Sequence, residues 1–406
     1  MSANPIAPGS RRTTTEHMRV ALISAISLGF MAQAYAANAA DDPFADLNLE
    51  THGFVSFGYL KSWGNNWQGE TLDGTDEFWE AAGNVIARPW DHLRLGAQLF
   101  VRDLGNYGNG KVELDWAYAD WRQNDAIGVQ VGRVKIPFLL FNESVDIDAS
   151  RASVFMPRAI YPTRAREILF STDGGKVYGV AGGFDWAVFA GQRDLQTDGD
   201  FASYFALAYR LADVSRIEAD LLTGGRVQWR SPIEGLTVSI GGALLRDLEV
   251  TGTSELVPQR IDLSIPNWYG VTAGLLYERT SFTWALEYLQ YYAERTTTTT
   301  PLVGTPVVVE DAFRPDFAYL SCTWHARPWL DCYAAVEGWW DDPTDRYGKQ
   351  YTQSAVAALC LRPLSHWSIK AELRYSHGTL DVDARLNPDG SKMDWQVLAL
   401  KTTVDF

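Results

Sequence analysis

From about residue 48 onward, apolar and polar residues alternate with period two in segments of roughly ten residues. In the stretch 366–377, Trp367, Ile369, Ala371, Leu373 and Tyr375 fall on one face, and Ser368, Lys370, Glu372, Arg374 and Ser376 on the other. The apolar face recurs in Leu93, Leu95, Ala97, Leu99 and Val101, in Val112, Leu114, Trp116 and Tyr118, and in Phe282, Trp284, Leu286 and Tyr288. One strand of a sandwich would alternate in the same way. The repetition is what favours a closed sheet with an apolar outer face. Rings gather near segment ends, at Trp79, Trp90, Trp121, Trp268, Trp329, Trp339, Trp340, Trp367 and Trp395, where a membrane-water interface would hold them.

Connection lengths add a second signal. Tight turns bearing Pro, Gly or polar residues at 87–92, 122–126, 181–185, 231–235, 278–281, 326–329 and 362–366 alternate with long stretches. The long ones are 61–78, 103–111, 137–172, 192–221, 247–267, 294–315, 341–349 and 378–393. The pattern predicts an all-β fold: a membrane-spanning antiparallel β-barrel of about 16 strands, with short turns in the periplasm. Segment 137–172 is too long for a surface turn, and a loop of that size in a wide barrel is expected to fold inward as a constriction. Residues 202–221 read as well for a short helix as for a strand, and Thr296 to Thr300 read as a flexible loop tip.

The chain begins with the marks of export. After Met18 and Arg19 comes an apolar run from Val20 to Ala32, followed by small residues at cleavage spacing around Ala34 and Ala36 or Ala37 and Ala39. Residues 1–36 are therefore expected to be a signal peptide with an extended leader, 37–47 a short periplasmic segment, and 48–406 the barrel. Arg11 and Arg12 form a pair, but Thr13 to Thr15 follow where a twin-arginine signal would turn apolar, so Sec export fits better. The destination is the outer membrane of a Gram-negative bacterium.

Composition narrows the function. Of 406 residues, 35 are Lys or Arg and 50 Asp or Glu, a net charge of −15, and leader removal takes three arginines and one glutamate. Such an acidic chain is not expected to bind nucleic acid. Cys322, Cys332 and Cys360 are too few and too odd for a disulfide framework, although Cys322 and Cys332 fall on neighbouring strands and a bridge between them is open. The six histidines are scattered without metal-ligand spacing. Only Ser365 with His366 and Ser376 with His377 place a serine beside a histidine, and adjacent strand residues point to opposite faces. No catalytic residue, metal or cofactor is expected.

Chemistry concentrates in 128–179. The chain leaves a strand through Arg133 and Lys135, breaks at Pro137, passes Glu143, Asp146 and Asp148, then Arg151, Arg158, Arg164 and Arg166. Facing rows of acids and arginines would set a transverse field that sorts solutes by charge. Alternatively these charges pair and pin the loop to the wall; both can hold. Parity adds lumen charges at Arg94, Arg102, Arg226, Arg230, Lys370 and Arg374, and at Glu80, Glu113, Asp115, Glu278, Glu287, Glu337 and Glu372. The mixture defines no simple preference.

This segment, the stretch 113–121 before it, 224–242 after it and the terminal Phe406 together resemble the phosphate- and polyphosphate-selective porins. The resemblance implies a 16-stranded homotrimeric barrel with the inward loop as constriction. Selectivity in that group depends on a lysine cluster and an arginine ladder; this chain has eight lysines, and its loop mixes arginines with carboxylates. Phe406, sharing a face with Val404, Thr402, Leu400 and Leu398, resembles the signal read by the barrel assembly machinery. The expected role is passive diffusion of small hydrophilic, charged solutes, with lipid and lipopolysaccharide as surroundings. A barrel-borne lipid enzyme or a structural, adhesive barrel are the alternatives.

Overall fold

The computed structural model describes residues 47–341 and 350–406. The expected signal peptide, the segment up to residue 46 and residues 342–349 lie outside them. Eighteen strands form one sheet. They are β1 (Glu50–Trp63), β2 (Phe78–Trp90), β3 (Leu93–Leu104), β4 (Val112–Asn124), β5 (Ile127–Lys135) and β6 (Ser171–Ala181). Next come β7 (Phe184–Gln192), β8 (Leu211–Glu218), β9 (Leu221–Arg230), β10 (Leu236–Ser254), β11 (Gln259–Glu278) and β12 (Phe282–Pro301). The last are β13 (Val307–Phe313), β14 (Asp316–Arg327), β15 (Leu330–Trp340), β16 (Tyr351–Leu364), β17 (Trp367–Gly378) and β18 (Asp394–Asp405).

Sixteen of these close into an antiparallel barrel. Strand β7 pairs with β9 and β12 with β14, so β8 and β13 stand outside the ring, laid against the extended ends of β10 and β12. Closure is made by β1 and β18, from Phe54 opposite Asp405 to Trp63 opposite Gln396. Consecutive strands meet through the tight turns. Between β6 and β7, Gly182 and Gly183 both take positive φ (58° and 83°), the conformation a two-residue hairpin turn requires and other residues resist. Among the described residues no helix is long and apolar enough to cross a membrane. The outward side chains do that work: Val131, Ile240, Leu286, Leu373 and their neighbours stand exposed around the wall. A continuous apolar band of that kind has no stable place in water.

Several sequence expectations are corrected here. Thr296 to Thr300 are no loop tip: they lie in β12, paired with 260–264 of β11 and partly with β13. Threonine's branched side chain favours this extended backbone. The long stretches 247–267 and 294–315 are likewise largely hairpin, because β10, β11 and β12 run on past the barrel. Residues 202–221 are both things in turn, a helix α1 (Asp200–Tyr209) and then β8. The switch falls at Arg210, in the left-handed conformation (φ 51°), whose N–H closes the helix on Ala206 and Leu207.

Parity also slips at one bulge. Leu99 faces Leu114 but Gln98 faces Trp116, so Asp115 is the extra residue. Val112 and Leu114 face out, whereas Trp116 and Tyr118 turn to the inner face with Asp120. Not all the expected interfacial tryptophans are interfacial. Trp90, Trp121 and Trp329 are exposed, but Trp79, Trp339 and Trp395 are buried inside. Trp395 satisfies its indole N–H there by donating to the Gly378 carbonyl at 2.8 Å. The three cysteines are free thiols, Cys322 lying opposite Ala334 and Cys332 opposite Trp324.

Candidate functional site

The inner face of the wall has two characters. From β9 to β15 it is mainly apolar, with Leu222, Gly241, Leu245, Gly270, Ala285, Leu289, Phe317 and Trp339 around the buried Arg226, Glu287 and Glu337; from β16 round to β6 it carries Lys370, Glu372, Arg374, Lys401, Glu80, Gln98, Asp115 and Lys176. Segment 136–170, between β5 and β6, matches both halves. Its apolar side chains Phe138, Leu139, Leu140, Ile160 and Ile168 join a buried cluster with the apolar wall and with Phe201 and Phe205 of α1. Its charged side chains meet the polar wall.

Local sequence explains how the segment is held. Pro137 has no N–H for a ladder and ends β5. Asn142 Nδ2 then donates to the carbonyls of Ile136 (2.7 Å) and Leu169 (2.5 Å), closing the base of the loop on itself. Leu140 N–H donates to Glu287, Val154 and Phe155 N–H to Glu372, and Ala159 N–H to Glu337. Three carboxylates on three wall strands thus satisfy loop amides that would otherwise be buried without partners.

Asp148 is the most heavily engaged loop charge. Lys370 Nζ (2.8 Å), Lys401 Nζ (2.8 Å), Thr403 Oγ1 (2.8 Å) and Arg151 (3.0 Å) all bond it, and it is 1% exposed. Burial alone would push its carboxyl up, but Lys401, Lys370 and Arg151 outweigh that and hold it well below the usual carboxylate range. Lys401 also reaches Glu80. Glu143 joins Lys176 (2.8 Å) and Arg226 (2.8 Å), which bring it down to about 2 against the opposing effect of burial. Asp146 takes Lys135 at 2.8 Å, and Arg166 takes Asp115 at 2.7 Å. Arg158 (3.1 Å) and Arg164 (3.9 Å) share Asp381, whose carboxyl they lower against burial, and Trp67 Nε1 donates to it at 2.9 Å.

Most of the predicted site residues therefore come together, chiefly as ion pairs. Arg133 bonds Asp173 at 2.7 Å, Arg102 pairs with Asp200, and Arg374 with Glu337 and Glu372. Arg94 bonds Asp120 at 2.7 Å. Three do not belong: Arg230 is exposed at a strand end, 3.9 Å from Asp185, Glu113 is exposed on β4, and Glu278 is exposed at the end of β11. Lys401, Lys176, Asp120, Asp200 and Asp381 were missed. Lys401 was recoverable, since it faces opposite to Leu400 on the terminal strand. Asp381 sits in an irregular connection with no periodic signal. Another missed chain runs at the rim of the short turns: Thr283 Oγ1 lies 3.0 Å from His325 Nε2, whose Nδ1 lies 2.8 Å from Asp331, itself held by Arg362 at 2.5 Å. Scanning neighbours in sequence could not find a pairing made across β12, β14 and β15.

Three spaces lie along the inside. A cavity of about 750 Å³ at the end of the short turns is lined by His52, Arg94, Tyr118, Lys176, His366 and Phe406 among others. A smaller space of about 110 Å³, called the neck, shares Phe54 and Asp146 with it. Arg102, Arg151, Arg158, Arg166 and Lys401 line the neck, against only Glu80 and Asp146. At the end of the long connections a cavity of about 550 Å³ is bordered by Arg164, Tyr204, Arg210, Arg295 and Asp341.

No family model and no curated protein matches the chain. Solved structures do. It superposes on Salmonella typhi OmpF in complex with daunomycin with a TM-score of 0.56 at 9% identity, covering 89% of this chain and 98% of that one. An anion-selective porin from Comamonas acidovorans gives 0.53 at 11%, covering 88% and 99%. Pseudomonas putida OprB gives 0.54 at 11%, covering 89% and 95%. The chain has the porin fold.

Proposed function

We propose that this porin-fold chain is a passive channel of a Gram-negative outer membrane. It admits small hydrophilic charged solutes, anions first, inorganic phosphate among them. The observation that carries the reading is the neck: its lining carries five basic side chains against two acidic ones, in a chain of net charge −15, with Asp115, Asp148, Asp200 and Asp381 pairing with the basic groups from outside the lining. Fixed positive charge at a narrow, low-dielectric point attracts anions and repels cations over the length of the passage.

In this reading segment 137–172 is the constriction. Arg151, Arg158 and Arg166 present charge to the passage, while Asp148, Glu143 and Asp146 anchor the loop and set how far it reaches. Arg164 acts at the outer mouth. Lipid and lipopolysaccharide surround the outer face, a homotrimer fits its apolar band, and the barrel assembly machinery reads Phe406 after the leader is removed. Planar-bilayer recording tests the channel directly. Stepwise ohmic current with a reversal potential on the anion side is expected; a folded barrel that passes no current refutes it.

A further inference from the structure

The neck is lined by rings as well as by charge. Phe78 and Phe155 stack at 5.4 Å with 12° between their planes, and the Arg166 guanidinium lies over Phe170 (4.0 Å) and Phe100 (4.5 Å). All five side chains face the same small space. The Arg151 and Arg158 side chains line the same space.

Resting on the channel reading above, we propose that the neck selects organic anions whose carboxylate is carried on a planar aromatic ring, in preference to inorganic anions and aliphatic acids. The carboxylate is drawn by the Arg151, Arg158 and Arg166 guanidiniums, and the ring slides along the stacked phenylalanines and the Arg166 face. The neck, about 110 Å³, is tighter than the roughly 150 Å³ of apolar cavities that hold benzene, so a passing ring touches its walls. Phosphate gives up as much hydration as a carboxylate and gains nothing from the rings. The acidic lining does not compete, because Glu80 is held by Lys401 and Asp146 by Lys135.

Zero-current potentials of the full-length protein in planar bilayers, with potassium chloride on one side and potassium benzoate, acetate or phosphate on the other, test this. Benzoate is expected to permeate several-fold better than the smaller acetate and to interrupt the chloride current in a concentration-dependent way. In Phe155→Leu the benzoate-to-acetate permeability ratio should fall towards one, whatever the change in chloride conductance. Acetate equal to or above benzoate in the wild-type protein overturns the assignment while leaving the channel intact, as does a ratio unchanged in Phe155→Leu. Absence of any current from the folded barrel overturns the channel itself.

Discussion

At Asp148 four donors converge on one carboxylate, and two of them, Lys370 and Lys401, are themselves buried. Removing one partner of a buried ion pair leaves uncompensated charge, so Asp148→Asn should cost about 3–5 kcal/mol. The urea midpoint of the folded barrel, followed by its gel mobility without heating, would show this; a midpoint unchanged from wild type would mean the lysines find other partners. The pH response follows in sign. Both Asp148 and Glu143 are lowered in the folded protein, so each stabilises the docked loop above its unfolded value, roughly pH 4, and loses that contribution only as the pH falls through its folded value. For Glu143 that value is about 2. As far as these two carboxylates alone hold the loop, conductance should stay level from pH 7 to about 4 and change below that. Opening already between pH 5 and 6 would show that other groups hold the loop. The loop's own charges were legible in sequence because they crowd into one segment. Of their partners, Lys370, Arg226 and Asp115 were legible by parity, but Asp381 lies in an irregular connection that no local pattern marks.

The loop sits where it does because the wall opposite it is made of small residues. A Cβ added at Gly241 would lie 2.3 Å from the Phe138 carbonyl, and one at Gly270 2.9 Å from the Phe138 ring. Gly241→Val should displace the loop from the apolar wall without breaking the ladder, giving larger and noisier single-channel currents than wild type. Phe138→Ala should loosen the same contact from the other side, at about 3–5 kcal/mol. Normal currents in both variants would argue that the loop does not gate the passage. Strand existence and strand number were readable from alternation and turn spacing, and β17 keeps the predicted faces from Trp367 to Ser376. Strands β9 to β12 were harder to read, because a lumen wall that is apolar for the loop and a lipid face that is apolar for the membrane erase the alternation. The extended hairpins of β10 to β12 resembled loops for a simpler reason: their threonines and charges are polar without being irregular.

For the whole molecule, the proposed anion preference runs against the sign of the net charge. Acidic residues dominate the total, whereas the lining of the neck carries more basic than acidic side chains, each basic one paired with a carboxylate. Pore selectivity depends on the few charges at the narrowest point. The outer surface sets where the chain resides: Leu373→Arg on the exposed face of β17 should cost about 2–4 kcal/mol in lipid. The same change at an exposed loop position should be nearly neutral, a contrast that folding into vesicles would reveal. The central claim is a passive channel governed by the basic neck, and its most direct test is the reversal potential in a potassium chloride gradient. Wild type should be anion-selective, and Arg151→Gln combined with Arg166→Gln should move the potential towards the cation side. A potential that stays where it was in the double variant would contradict the account.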